Sequence, residues 1–265
     1  LPVVRARLVI VLATGLAGVL AQAGCRSPFG YKYEYEEQLY LRVDGAATLV
    51  IDASIPALVA LRGVAVDPSA SAATDRAMLR HLFEAAGCQV DNVGQPWRRL
   101  GRRFVQIRLS TPDVRTLSKC GLASWSTYTL EPIEGGLRYR QTVGAPAAAP
   151  STGVGQPAVA NWDGSELVAF KLHLPSRVIE HNVRRLDVDE PGDLERGNIL
   201  TWEQRLTDRR AGKPVAIDVT MNAKSILYTT LWLFGGAFVA AVSVLALVVW
   251  LTVRRGRKRV AARQS

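Results

Sequence analysis

Groups that do chemistry are scarce in this chain. Its 265 residues include three histidines, three cysteines and two methionines. His81, His173 and His181 lack metal-ligand spacing, and no H-E-x-x-H, C-x-x-C or G-x-S-x-G accompanies them. They read as solvated or structural side chains, so no metal and no cofactor is expected. Gly153-Val154-Gly155 lacks the strand-then-helix context of a phosphate loop. Asp187, Asp189, Glu190, Asp193 and Glu195 surround Pro191-Gly192 without EF-hand spacing and read as a solvated turn. These absences weigh against an enzyme, and leave an unrecognised hydrolase with dispersed residues as the alternative.

Charge is absent from residues 225–253, which are mostly Leu, Val, Ala, Ile, Phe and Trp. Crossing the hydrocarbon of a bilayer takes about 20 apolar residues, so a transmembrane helix is expected over 226–253. A buried core helix rarely runs so long without a polar face. Tyr228, Trp232 and Trp250 stand where an aromatic belt would. Arg254, Arg255, Arg257, Lys258, Arg259 and Arg263 follow in a short tail, 254–265, which the positive-inside rule assigns to the cytoplasm. Such a tail leaves no room for an output domain, so transmembrane signalling is not expected.

Acids are missing from both ends. The net charge of +10 suggests nucleic acid at first sight. Residues 1–25 hold two arginines and 225–265 hold six basic groups, leaving 25 basic against 23 acidic residues between them. The excess is topogenic, and nucleic acid is excluded as a partner.

The N-terminus has the parts of an export signal over 1–24: Arg5 and Arg7, then apolar Leu8 to Leu20, then small residues. Ala21-Gln22-Ala23 fits ordinary signal peptidase. Ala23-Gly24-Cys25 fits the end of a lipobox in which Cys25 is lipidated, with Gln22 where Leu is usual. An uncleaved anchor is the third reading. If lipid takes Cys25, Cys88 and Cys120 remain in an oxidising compartment, either bridged or as two buried thiols.

The chain between the ends reads as an extracytoplasmic α+β region over 25–143, an Ala/Pro/Gly-rich linker or loop over 144–158, and a β-rich region over 159–222. Tyr31, Tyr33, Tyr35, Leu39, Leu41 and Val43 alternate with Lys32, Glu34, Glu36, Gln38 and Arg42, with Glu37 an exception on the apolar side. Asp44-Gly45 marks a hairpin. Thr74 is positioned to cap a helix carrying Met78, Leu79, Leu82, Phe83 and Ala86 on one face, and Thr111-Pro112-Asp113 to start another. Further strands are expected around Val105–Leu109, Thr127–Leu130, Leu137–Val143, Phe170–Leu174, Leu200–Leu206 and Val215–Met221. The expected fold is α+β: an antiparallel sheet with two or three helices packed on one side, followed by a single C-terminal transmembrane helix.

Leu172-His173-Leu174-Pro175 with Val178, then His181-Asn182, then Gly197-Asn198-Ile199-Leu200-Thr201-Trp202, ahead of a strand and a terminal span, resemble the LppM-type bacterial envelope lipoproteins. The recognisable motif covers 165–253. The resemblance implies a lipid-anchored, membrane-spanning protein whose outer domain has been likened to lipid-binding folds, with Gly197, Asn198, Thr201 and Trp202 as structural motif residues. It implies no catalytic residues.

One basic stretch stands out: Trp97, Arg98, Arg99, Arg102 and Arg103, as a candidate contact for anionic lipid headgroups or an ordinary loop. The expected partners are membrane lipids or an envelope protein, with weak self-association through Gly236-x-x-x-Ala240 and Ala237-x-x-x-Ala241 in the span. The functional expectation is a non-catalytic binding domain held at the inner membrane.

Overall fold

The computed structural model describes residues 32–146, 162–188 and 190–261, so the export signal, Cys25 and most of the expected linker lie outside the described residues. Alternation along Tyr35–Leu41 makes β1, and a turn at Asp44-Gly45 returns the chain as β2 (Ala47–Ser54), paired antiparallel with Leu39 opposite Leu49. Gly45 takes φ +89°, which a residue without Cβ adopts without strain. The chain then builds β3 (Val90–Val93), β4 (Trp97–Arg99) and β5 (Arg102–Thr111), which all join the first sheet. Strands β6 (Ser126–Ile133) and β7 (Gly136–Val143) form a separate hairpin. After the undescribed segment, β8 (Leu167–His173) and β10 (Ile199–Arg205) return to the first sheet, while β9 (Val178–His181) and β11 (Val215–Asn222) join the hairpin.

The result is a seven-stranded sheet ordered β10-β8-β1-β2-β5-β3 with β4 on β5, and a four-stranded sheet ordered β6-β7-β11-β9. The α+β class and antiparallel character match the expectation. Two features do not: the strands divide between two sheets, and β1 pairs β8 in parallel. Period-2 alternation buries one face of a strand whichever direction its neighbour runs, so neither feature is encoded locally. The apolar inner faces share one core, with Leu39, Leu49, Ile107, Phe170 and Leu172 from the first sheet and Tyr139, Ile217 and Val219 from the second. Gly136 must be glycine for space, since a Cβ there would run into the Met221 carbonyl of the adjacent strand.

Helix α1 (Ile55–Arg62) escaped the sequence reading. Ser54 Oγ accepts from Ala57 N at 3.1 Å, Pro56 sits in the first turn, and Gly63 at φ +66° ends it. It follows β2 directly and is apolar nearly all round, so no stripe announces it. Helix α2 (Arg76–Ala85) occupies the expected place, but Asp75 caps it rather than Thr74. Met78, expected on the buried face, is exposed, and Leu79 and Phe83 make the packing. The second expected helix is a 3₁₀ segment, Val114–Lys119, capped by Asp113, with Thr111 still in β5. Leu206 opens a one-turn helix α3 (Leu206–Arg210) instead of extending a strand. Cys88 and Cys120 are joined by a disulfide that ties the chain leaving α2 to the 3₁₀ segment.

Helix α4 (Ile226–Ala261) starts three residues after β11. Its stretch Thr230–Trp250 has mean hydropathy 2.4 and none of it is buried by the rest of the chain. A helix apolar all round and uncovered cannot be a core helix; by length and composition it is able to cross a membrane.

Candidate functional site

Two convergences of polar groups are the candidates for a site. The first is internal. Period 2 puts Glu37 on the inner face of β1 between Tyr35 and Leu39. Arg62, the last residue of α1, ion-pairs with it, and both side chains are buried. Tyr35 OH donates to Glu37 Oε1 at 2.7 Å and accepts from Arg62 Nε at 2.7 Å, while Trp125 Nε1 donates to Glu37 Oε1 at 3.1 Å. The guanidinium lies 4.0 Å over the Trp125 ring, and buried Arg209 of α3 lies 5.1 Å from the same ring. Burial is the largest single influence on Arg62 and works against its charge, but Glu37, Tyr35 and Tyr128 together outweigh it and hold the guanidinium protonated. Burial and the repulsion of Arg62 push Arg209 down.

Beside this cluster Glu37, Leu39, Tyr128, Gln141, Phe170 and Ile217 line a cavity of about 10 Å³ between the sheets. That is room for about one water molecule, not an acyl chain. Among the described residues Glu37 Oε2 has no hydrogen-bond partner.

The second place is the outer face of the seven-stranded sheet. The Gln38 amide links three neighbours: its oxygen accepts from Tyr40 OH at 3.0 Å and meets His173 Nε2 at 3.2 Å, and its nitrogen reaches Asp52 at 3.4 Å. Gln106 Nε2 donates to Asp52 at 2.9 Å, Lys171 pairs with Glu36 at 3.2 Å, and Tyr40 stacks on His173 with centroids 4.0 Å apart. Burial pushes Asp52 up to about 6, Glu36 adding to it while the two glutamines oppose it. Burial, then Lys171, brings His173 down to about 4.

These two shifts act oppositely on stability. Folded Asp52 holds its proton more tightly than the ordinary 3.8, so stability is lost as pH rises from about 4 through 6. His173 favours its neutral form, so stability is lost as pH falls from 6.5 through about 4. Asp52→Asn is therefore expected to gain on wild type by about 2 kcal/mol between pH 4 and 6.5 and to hold that gain above it. Urea unfolding across that range checks this, and a difference independent of pH would sink it.

The residues of the candidate headgroup contact turn to different partners in the fold. Residues 97–103 form the β4–β5 hairpin, turning at Leu100 and Gly101. Arg103 is buried and donates to the carbonyls of Ser69 and Asp67 and to Thr74 Oγ1. Arg102 pairs with Glu34 at 3.1 Å and Glu166 at 3.6 Å. Arg99 donates to the Tyr33 carbonyl and lies over Phe104, on which Trp97 stacks. Of the four arginines, Arg98 is the exposed one. The hairpin also stands at the other end of β8 from the root of α4: Arg102 pairs with Glu166 just before β8, whereas Ser225, which leads into α4, donates to the Pro175 carbonyl just after it.

The motif residues around 181–202 tie the sheets together. Asn182 Oδ1 accepts from Trp202 Nε1 at 3.1 Å and from Asp218 N at 3.0 Å, and its Nδ2 donates to the Ala216 carbonyl at 2.8 Å, linking β10 to β11. Asn198 clips the Leu174 carbonyl at 2.8 Å, and Gly197 takes φ +78° in the turn before it. Thr201 is half-buried on β10. The acidic turn is held by arginines, Arg185 to Glu190 and Asp193 and Arg205 to Asp187. No group of three His, Cys, Asp or Glu side chains among the described residues comes together as a metal site would require.

Sequence reasoning missed the Glu37–Arg62 pair and the tie through Asn182. Glu37 had left a signal, as the acid on an apolar face. Ser54-Ile55-Pro56 had left another, a capping residue shortly before a proline.

Fold and site together define a mixed α+β protein with a C-terminal helix able to span a membrane. No family model and no curated protein matches the chain. Among solved structures it is similar to the NMR structure of the folded domain of Mycobacterium tuberculosis LppM, at 12% identity over 75% of this chain and 95% of that one, with a TM-score of 0.36. So low a score is a weak resemblance to a lipoprotein domain and carries no argument about function.

Proposed function

We propose that the protein is a membrane-tethered, extracytoplasmic binding module that holds an envelope protein near the bilayer and catalyses nothing. The observation that carries this is the three-residue connection between β11 and α4. At about 3.3 Å per residue it lets the domain move roughly 10 Å from the membrane, which raises the effective concentration of anything in the same leaflet. The basic tail after Val253 supports the orientation. The cavity beside Glu37 has room for about one water molecule and not an acyl chain, which supports contact at a surface rather than storage of a lipid there. The outer face around Gln38, Tyr40 and His173 is the polar and aromatic surface the domain offers.

A photo-crosslinking residue in place of Tyr40, in the full-length protein in its native membrane, is expected to yield discrete protein adducts that the same residue at Leu100 does not. Lipid adducts alone, or the same pattern from both positions, would overturn the reading.

A further inference from the structure

The end of the four-stranded sheet from which α4 departs carries an exposed isoleucine on each of its two edge strands. Gly136 pairs with Asn222, the last residue of β11, and Ile133 pairs with Gly136, so Ile133 stands level with the point where the chain leaves the sheet. On the other side of β11, Thr220 pairs with Glu180 and Met221 with Val178. Ile179 falls in that register shift and has no partner opposite. A bulge on an edge strand re-aims a side chain, and here it turns an isoleucine outward. Ile179 is 53% exposed and Ile133 39% exposed. They lie on the two edge strands of this sheet, three strand spacings or about 14 Å apart, with β11 and the start of α4 between them.

The polar neighbours suit an interface. Arg177 and Lys224 are exposed beside these isoleucines, with Glu134 and Glu180 also exposed nearby. The Arg177 carbonyl accepts from Asn222 N at 3.0 Å, and Ser225 Oγ donates to the Pro175 carbonyl at 3.2 Å, so the loop before β9 is fastened to the residues that enter α4. Exposed isoleucines on an edge strand would be an aggregation hazard in water. A bilayer interface removes that hazard, since apolar side chains gain by entering the headgroup boundary while nearby cations meet lipid phosphates.

We infer that this end of the domain, with Ile133 and Ile179 as its apolar contacts and Arg177 and Lys224 beside them, seats on the surface of the bilayer that α4 enters. The inference rests on α4 spanning a membrane, and it makes the domain docked rather than merely tethered. The surface is built by the second sheet, so the outer face of the first stays open to a partner.

The test uses the full chain in nanodiscs of phosphatidylethanolamine and phosphatidylglycerol, in a Cys25→Ser background. Nitroxides at Ile133→Cys, Ile179→Cys, Leu100→Cys and Phe238→Cys are relaxed by oxygen, which enters lipid, or by a water-soluble nickel chelate. Labels at 133 and 179 should be several-fold less accessible to nickel than the label at 100. They should remain so when a flexible Gly-Ser segment is inserted after Lys224, because the surface holds itself in place. Equal nickel accessibility at 133, 179 and 100 overturns the inference, as does protection that vanishes with the longer connection. A nickel-accessible label at 238 would instead show that α4 is not in the bilayer, and would overturn the functional reading with it.

Discussion

Glu37→Ala is expected to destabilise the folded domain by about 3–5 kcal/mol, the cost of leaving a buried charge without its partner. Arg62 would keep its hydrogen bonds to Tyr35 and to the Leu122 carbonyl, but its positive charge would face only Arg209 across Trp125. The paired change Glu37→Leu with Arg62→Met removes both charges and should recover most of that loss, since well-packed apolar side chains often replace a buried ion pair without penalty. About 1–2 kcal/mol should remain lost, because Trp125 Nε1 forfeits its acceptor and the buried Tyr35 hydroxyl forfeits both of its partners. Urea unfolding of the full-length protein in detergent, followed by tryptophan fluorescence, measures all three. A single Glu37→Ala change costing under about 1 kcal/mol, or a double variant no better than the single, would remove charge compensation as the organising role of the pair.

The second large effect belongs to the disulfide. Cys88 and Cys120 are 32 residues apart, and closing a loop of that length restricts the unfolded chain by about 3–4 kcal/mol in the chain-entropy description. Helix α2 contributes only Leu79 and Phe83 as buried residues, so it depends on the bridge more than any strand does. Replacing both cysteines with serine avoids mispairing with Cys25. The variant is expected to unfold earlier in urea by about that amount, and to lose hydrogen-exchange protection first across 76–93. A loss under about 1 kcal/mol, or protection unchanged in α2, would show that apolar packing alone fixes the helix.

Several parts of this molecule could be read without coordinates because their cause is local. The alternation of β1, the Asp44-Gly45 turn and the proline-marked start near Asp113 each depend on a few neighbouring residues. The terminal helix is the clearest case, since a long uncharged stretch excludes every environment but a core or a bilayer. Helix α1 was hidden because its apolar residues continue those of β2, and burial on nearly every side erases the periodicity that marks a helix.

The candidate site was less legible. Residues 97–103 looked like a cationic surface because adjacent arginines add up in a linear sequence. In the fold they divide among Glu34, Glu166, Tyr33 and Thr74, which come from distant parts of the chain. Gln38, Asp52 and His173 belong to three strands, and nothing in their spacing foretells that one amide will join them.

By itself the amino-acid sequence determined the α+β class, the strand alternation and a C-terminal helix able to cross a membrane, because hydrophobic period and length suffice for each. Only the tertiary structure decided that the strands form two sheets, that β1 runs parallel to β8, that Glu37 meets Arg62, and that the arginine hairpin and the root of α4 lie at opposite ends. Those depend on which distant segments pair, and a strand's own pattern is the same for every partner that covers its apolar face.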